Sequence, residues 1–286
     1  MSTNNRTGRK RDYVGVLSSV FAIVIGLLVG FVILLICNPS QALPGFVTIL
    51  TGAFTHGLKG VGQVFYYATP IILTGLSVGF AFKTGLFNIG TPGQFIVGAF
   101  AAVYVGIMWT GLGRIQWAVA LLAAILGGAL WGMVPGFLKA CFNVNEVIAS
   151  IMMNYIGMYM VNWIVKSYKP LFNNLRNESR NVAATAQIPK MGMDKLFPES
   201  SVGGGILLAI AAVLIIWVIL NKTTFGYELK AVGFNRDASR YAGINEKRNI
   251  IMSMVIAGAI AGMAGGLLYL AGTGKHIEIK DVLASE

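Results

Sequence analysis

The run VGVLSSVFAIVIGLLVGFVILLIC, Val14–Cys37, carries 24 consecutive residues without a charge. As a helix rising about 1.5 Å per residue it is about 36 Å long, enough to cross a hydrocarbon core of about 30 Å with room to tilt. Just before it, residues 1–13 are polar and basic, with Arg6, Arg9, Lys10 and Arg11. A basic start ahead of an apolar run also describes a signal peptide, but this run is too long for a typical h-region and lacks a clear small-x-small cleavage site. It reads as an uncleaved first membrane helix.

Similar runs recur at Val61–Phe82, Gln94–Trp109, Trp117–Leu138, Val147–Val165, Val202–Leu220 and Asn249–Ala271. None of the seven contains Asp, Glu, Lys or Arg. Residues 44–58, PGFVTILTGAFTHGL, are apolar but short and interrupted by glycine, which suits an interfacial or partly inserted helix. The fold class is therefore all-α, a polytopic transmembrane bundle of about seven spans plus a broken or re-entrant segment. Composition agrees: of the 286 residues, 56% are hydrophobic and 12% charged, about half the charge of a soluble domain.

The net charge of +11 sits in the connectors. There it serves orientation and contact with anionic lipid headgroups, so nucleic acid is not an expected partner. The basic N-terminus belongs in the cytoplasm, giving a multi-pass protein of the plasma (inner) membrane. Counting spans from there puts residues 221–249 inside too, with Lys222, Lys230, Arg236, Arg240, Lys247 and Arg248. The same count puts residues 166–201 outside although they also hold six Lys or Arg; in a longer loop the rule is weaker. The transmembrane domain then covers 14–271 and a polar tail 272–286. Gly-x3-Gly steps at Gly26/Gly30, Gly75/Gly79, Gly128/Gly132/Gly136 and Gly258/Gly262 favour close helix packing.

Three connectors carry the polar chemistry. KTGLFNIGTPGQ, Lys83–Gln94, joins two spans and is rich in helix breakers. Irregular backbone at membrane depth survives only if buried in protein or lining a watery cavity, where its free N–H and C=O groups can meet a polar solute; a polar turn at the membrane face is the plainer alternative. In NVNEVIASIMMNY, Asn143–Tyr155, Asn145 suits an N-cap and Glu146 the first helical turn, while Asn154 lies deeper and needs a partner, either another helix or a solute. TTFGYELKAVGFNRDASRYAGINEKR, Thr223–Arg248, reads as a short amphipathic helix between glycines. Asn235 would be its N-cap and Gly243 its C′ residue, and Ala238, Tyr241 and Ala242 would form an apolar face suited to a partner's groove.

Catalysis finds no motif here. There is no Gly-x-Ser-x-Gly, His-Glu-x-x-His or P-loop, and no pair of carboxylates within a span. The two cysteines and two histidines form no pair at disulfide or metal spacing. No enzymatic activity, cofactor or metal is expected.

The same three segments, extended to GLFNIGTPGQFIVGAFAA (Gly85–Ala102), NEVIASIMMNYI (Asn145–Ile156) and GYELKAVGFNRDASRYAGINEKRNIIMSMVIAGAIAGMAGG (Gly226–Gly266), resemble the permease subunits of bacterial nucleoside and simple-sugar ABC importers, a group that includes branched-chain amino acid permeases. Their order and spacing match as well, and the pattern is closest to the nucleoside type. The resemblance implies cytoplasmic ABC ATPase subunits, a second permease subunit, similar or identical, and an extracellular solute-binding lipoprotein that delivers a small-molecule solute. It implies that Phe87, Asn88, Thr91, Gln94, Asn145, Glu146 and Asn154 line the path or gate. It implies an ATPase coupling loop carrying Gly226, Glu228, Gly233, Asn235, Arg236, Arg240, Tyr241 and Gly243.

Members of the family continue beyond the region matching Gly262–Gly266 with a Gly-rich stretch often close to GFDGIAVALLG and with further spans. This chain instead runs AGTGKHIEIKD from Ala271 and stops at Glu286. Against that pattern it reads as shortened at its C-terminus. A simple-sugar permease, a stand-alone secondary carrier and an inactive truncated copy remain alternative readings.

Overall fold

The computed structural model describes residues 8–278, with side chains from residue 17 onward. The N-terminal segment 1–13 and the tail 272–286 are thus described only in part; Arg6 lies outside the described residues, as do the side chains of Arg9, Lys10 and Arg11. The elements in order are α1 (Gly8–Cys37), α2 (Pro39–Thr55), α3 (Gly57–Phe82), α4 (Thr91–Met108), α5 (Gln116–Phe142), α6 (Glu146–Ser167), β1 (Phe172–Asn173), β2 (Glu178–Ser179), α7 (Met193–Leu196), α8 (Gly205–Lys222), α9 (Thr224–Phe234), α10 (Arg236–Tyr241) and α11 (Glu246–Tyr269). Seven of the described helices, α1, α3, α4, α5, α6, α8 and α11, are long and apolar enough to cross a membrane. The fold is all-α and polytopic, and the strands form one two-residue antiparallel hairpin.

The chain divides into two compact units, residues 1–60 and 61–286. In the first, α1 ends at Cys37 and Asn38 starts α2 at once. Its side-chain oxygen accepts from Gln41 N, and Pro39 occupies the first helical turn, where a missing N–H costs nothing. Phe31 and Phe46 pack ring to ring at 4.8 Å. Helix α2 is the short apolar segment expected at 44–58, beginning five residues earlier.

In the second unit α11 is the hub, with α5 and α4 packed along it. Gly128 and Gly132 of α5 meet Gly258 and Gly262 of α11 backbone to backbone: a methyl on Gly262 would fall against Ala124 O, and one on Gly258 against Gly128 O. In lipid, where burying carbon gives little drive, this close approach supplies the dispersion contact that joins helices. The step on α3 does not work this way: Gly75 and Gly79 have nothing among the described residues within 4 Å of where a Cβ would lie, as have Gly26 and Gly30 in the first unit. The spacing alone does not say which glycine face meets a partner.

The second unit has two ends. At one, the loop between α6 and α8 folds over the bundle. Ser179 N donates to Ile277 O at 3.0 Å and Ile188 N to Leu270 O at 2.8 Å, so the described part of the tail is stitched to this loop. Buried Gln116 anchors the same end by donating to Val105 O and Gly106 O. The opposite end holds the α3–α4 connector, the start of α6, and α9 and α10.

Candidate functional site

The connector Lys83–Gly90 breaks the helical run between two spans. It is an irregular turn between α3 and α4, tucked into the unit: Leu86 is fully buried and Asn88 1% exposed. Asn88 organises it. Its Oδ1 accepts from Gly90 N at 3.1 Å, its carbonyl accepts from Thr91 Oγ1 at 3.2 Å, and its amide pairs reciprocally with that of Gln94 at 3.0 and 3.1 Å. The connector thus has the polar partners that a break in a membrane bundle requires.

Asn154 of α6 completes this cluster. Its Oδ1 accepts from Gly93 N at 2.8 Å and its Nδ2 donates to Ile89 O at 3.0 Å. One amide side chain thus satisfies a donor at the start of α4 and an acceptor in the connector. Gly93 lies so close to Asn154 that a Cβ there would stand 2.8 Å from the asparagine Cα. Of the seven residues expected on the path, Asn88, Thr91, Gln94 and Asn154 converge here. Phe87 does not join them; its ring is half exposed and packs on Phe82 at 5.0 Å. Asn145 and Glu146 are engaged locally. Asn145 caps α6 by accepting from Val147 N and Ile148 N, and Glu146 pairs with Lys139 at 2.9 Å, tying the start of α6 to the end of α5.

The connector after α8 forms two helices rather than the single one expected. α9 follows α8 almost without a break, because Gly226 lets the chain fold back against Ile219 and Leu220. The short α10 is capped at both ends. Asn235 Oδ1 accepts from Ala238 N at 3.0 Å, and Gly243, at φ +81°, closes it, with Ile244 N donating to Ser239 O. The cap residues expected at Asn235 and Gly243 hold these positions. Arg240 and Tyr241 are exposed, with Arg236 partly covered. Phe234 is 92% exposed and Tyr241 95%.

A buried junction ties these helices to the α3–α4 connector and α11. Glu228 accepts from Asn249 Nδ2 of α11 at 3.0 Å. Gly233 and Gly85 touch backbone to backbone: a Cβ on Gly233 would collide with Lys83 O, and one on Gly85 would meet Gly233 O at 3.3 Å. Thr84 Oγ1 donates to Ser253 Oγ at 2.9 Å and Ser77 Oγ to Ala257 O at 2.7 Å, fixing α3 on α11. Connector, α9 and α11 therefore share a buried joint that sequence reasoning divided among separate segments. It also missed Ser150, one turn before Asn154 on the same face of α6. Ser150 is fully buried beside Gly90, and its hydroxyl has no partner among the described residues. The i, i+4 spacing from Asn154 was the available signal.

At the opposite end, a cavity of about 470 Å³ lies between α4, α6 and the end of α11, with Asn162, Glu178, Tyr269, Lys275 and His276 among its lining residues.

Residues 60–285 match the family described as branched-chain amino acid transport system, permease component. The chain is 41% identical over 261 residues to the guanosine ABC transporter permease protein NupP of Bacillus subtilis (strain 168), covering 91% of this chain and 73% of that one. It is 35% identical over 272 residues to the nucleoside ABC transporter permease protein NupB of Lactococcus lactis subsp. cremoris (strain MG1363), covering 93% and 72%. A glucose ABC transporter permease protein, TsgB13 of Haloferax volcanii, is 31% identical over 235 residues, covering 80% and 60%. No solved structure matches.

Proposed function

The chain belongs to the permease-component family of branched-chain amino acid transport systems, and on that premise we propose that it is the membrane subunit of an ABC importer whose solute is a nucleoside. ATP is hydrolysed by separate ATPase subunits, and a binding protein delivers the solute. A second permease subunit, identical or similar, faces this one across the path. The end carrying α9 and α10 is cytoplasmic, and the end carrying residues 166–201 is extracellular.

The observation that carries this reading is the exposed pair Phe234 and Tyr241 on two well-capped helices outside the spans. Caps and glycine turns hold these helices in place, yet the two large rings do almost nothing for the chain's own packing. Exposed rings on a rigid support suit the pocket of a partner. From there the junction Glu228–Asn249 and Gly233–Gly85 leads directly to the connector with Asn88 and to α11. In this mechanism, movement of the ATPases shifts α9 and α10, and the shift reaches the Asn88–Gln94–Asn154 cluster without an intervening element. That cluster is the gate: its amides hold one another when closed and become available to the sugar hydroxyls or base edges of a solute when the helices part.

The test is co-purification of the ATPases with the permease in detergent. Phe234→Ser combined with Tyr241→Ser is expected to lose the ATPases and ATP-driven uptake while the permease still inserts and keeps its melting midpoint. Retention of the ATPases at wild-type yield would overturn the docking assignment.

A further inference from the structure

The outward faces of the spans differ in chemistry. On α5 the exposed stripe is Leu122, Leu126, Leu130, Met133, Val134 and Phe137, and along the middle of α8 it is Leu207, Ile210, Leu214 and Ile215. No hydroxyl, amide or charge interrupts either, as contact with lipid tails requires. On α6 the stripe is Ile148, Met152, Tyr155, Ile156, Tyr159 and Trp163, which share one face at helical spacing. Tyr155 is 56% exposed and Tyr159 50%, and neither hydroxyl has a hydrogen-bond partner among the described residues.

Depth makes these two phenols informative. Tyr155 lies nine residues after Glu146 and Tyr159 thirteen, about 14 and 20 Å along a helix about 33 Å long. They straddle its middle. Tyrosine at a membrane face keeps its ring in the apolar layer and its hydroxyl in water, but from mid-span a phenol is too short to reach the headgroups. Facing lipid, both hydroxyls would be unsatisfied. Moreover, Asn162, three residues beyond Tyr159 and beside it on the helix surface, lines the 470 Å³ cavity at the opposite end from α9 and α10. Asn162 thus brings a group that lines the cavity to within one turn of Tyr159 and two turns of Tyr155 on the same helix, although neither phenol itself lines it.

We infer that the Tyr155–Tyr159 face of α6 is a wall of the aqueous solute path, and that the two rings form a stacking platform for a planar nucleobase. This rests on the nucleoside reading above and names the residues that carry it. Rings at i and i+4 give two π-faces one turn apart. Stacking accepts purine and pyrimidine alike, since every base has a π-face. The hydroxyls are free to bond the ribose or path water. The apolar Met152 on one side and Asn162 on the other match a solute with an aromatic part and a polyol part.

Two measurements separate the wall from the solute. In a chain with Cys37 and Cys141 both replaced by serine, Tyr155→Cys, Tyr159→Cys and Leu126→Cys are each assembled with the ATPases in membranes and treated with a charged, membrane-impermeant methanethiosulfonate during ATP turnover. Labelling of Tyr155→Cys and Tyr159→Cys at least tenfold faster than Leu126→Cys is expected. Equal rates mean lipid or a dry protein contact covers α6, and overturn the inference. Uptake then reads the platform. Tyr155→Leu and Tyr159→Leu are expected to raise the half-saturating guanosine concentration about tenfold, equivalent to about 1.4 kcal/mol, with Tyr155→Phe changing it much less. If the cysteines label quickly but the leucine variants take up guanosine like wild type, the stacking role is wrong while the path assignment stands. If wild type itself moves no nucleoside but the cysteines label, the nucleoside reading fails and the wall remains.

Discussion

Asn88 shows how much one amide can hold. Replacing it with leucine would strip Gly90 N and the Gln94 amide of partners in a site closed to water, at about 1–3 kcal/mol for each buried group left unpaired. Asn88→Leu is therefore expected to lower the melting midpoint of the detergent-purified protein as well as uptake; an unchanged midpoint would mean that the amide pair is not formed. Ser150 predicts the opposite. Its buried hydroxyl has no partner among the described residues, so Ser150→Ala should leave stability unchanged or raise it by about 1 kcal/mol, and a lower midpoint would reveal a partner the folded chain supplies. The family resemblance pointed to Asn88, Gln94 and Asn154, and Asn154 also stood out as an amide inside an apolar run. Sequence reasoning could not find that they bond one another, because partner choice depends on how α4 and α6 approach, which glycine at Gly90 and Gly93 permits. Phe87 entered the same set through the resemblance, and its ring turns outward.

Among the elements, α9 and α10 depend on two glycines for different reasons. Gly243 supplies a positive φ of 81° at the end of α10, which valine adopts only with strain. Gly233 has an ordinary φ but no space, since any Cβ meets the Lys83 carbonyl. Gly243→Val should therefore disturb ATPase docking without touching the junction. Gly233→Ala should push α9 off the α3–α4 connector, costing about 1–3 kcal/mol by overpacking, and should reduce uptake while the ATPases still bind. Normal coupling of ATP hydrolysis to uptake in Gly233→Ala would contradict the junction as a transmission point. Capping residues made α10 legible in the sequence, because caps are local chemistry. The separate α9 was not, since its boundary with α8 is set by the Gly226 fold-back rather than by a loss of helical pattern. The Gly85–Gly233 contact joins residues 148 positions apart and leaves no trace in either neighbourhood.

For the molecule as a whole, the spans were the most legible feature. Each is an apolar run bounded by polar connectors, and the lipid requirement that a spanning backbone satisfy itself leaves helix as its form. The distinction between α5 or α8, whose uncovered stripes are wholly apolar, and α6, with phenols midway along its uncovered stripe, was hidden because all three runs are apolar enough to span. It emerges only when burial tells which stripe of each helix is left uncovered. Within the second unit, packing likewise decides which Gly-x3-Gly steps are used: α11 and α5 use theirs, while Gly75/Gly79 have no described atom within 4 Å of a Cβ. The central claim, that the chain is a nucleoside permease working with ATPases, is tested most directly by uptake of labelled guanosine into cells that carry the ATPases and binding protein, with or without this chain. The account predicts ATP-dependent uptake only with the chain present, suppressed by unlabelled nucleosides and not by ribose. Uptake that survives ATP depletion while an ion gradient is held, or that ribose suppresses and nucleosides do not, would contradict it.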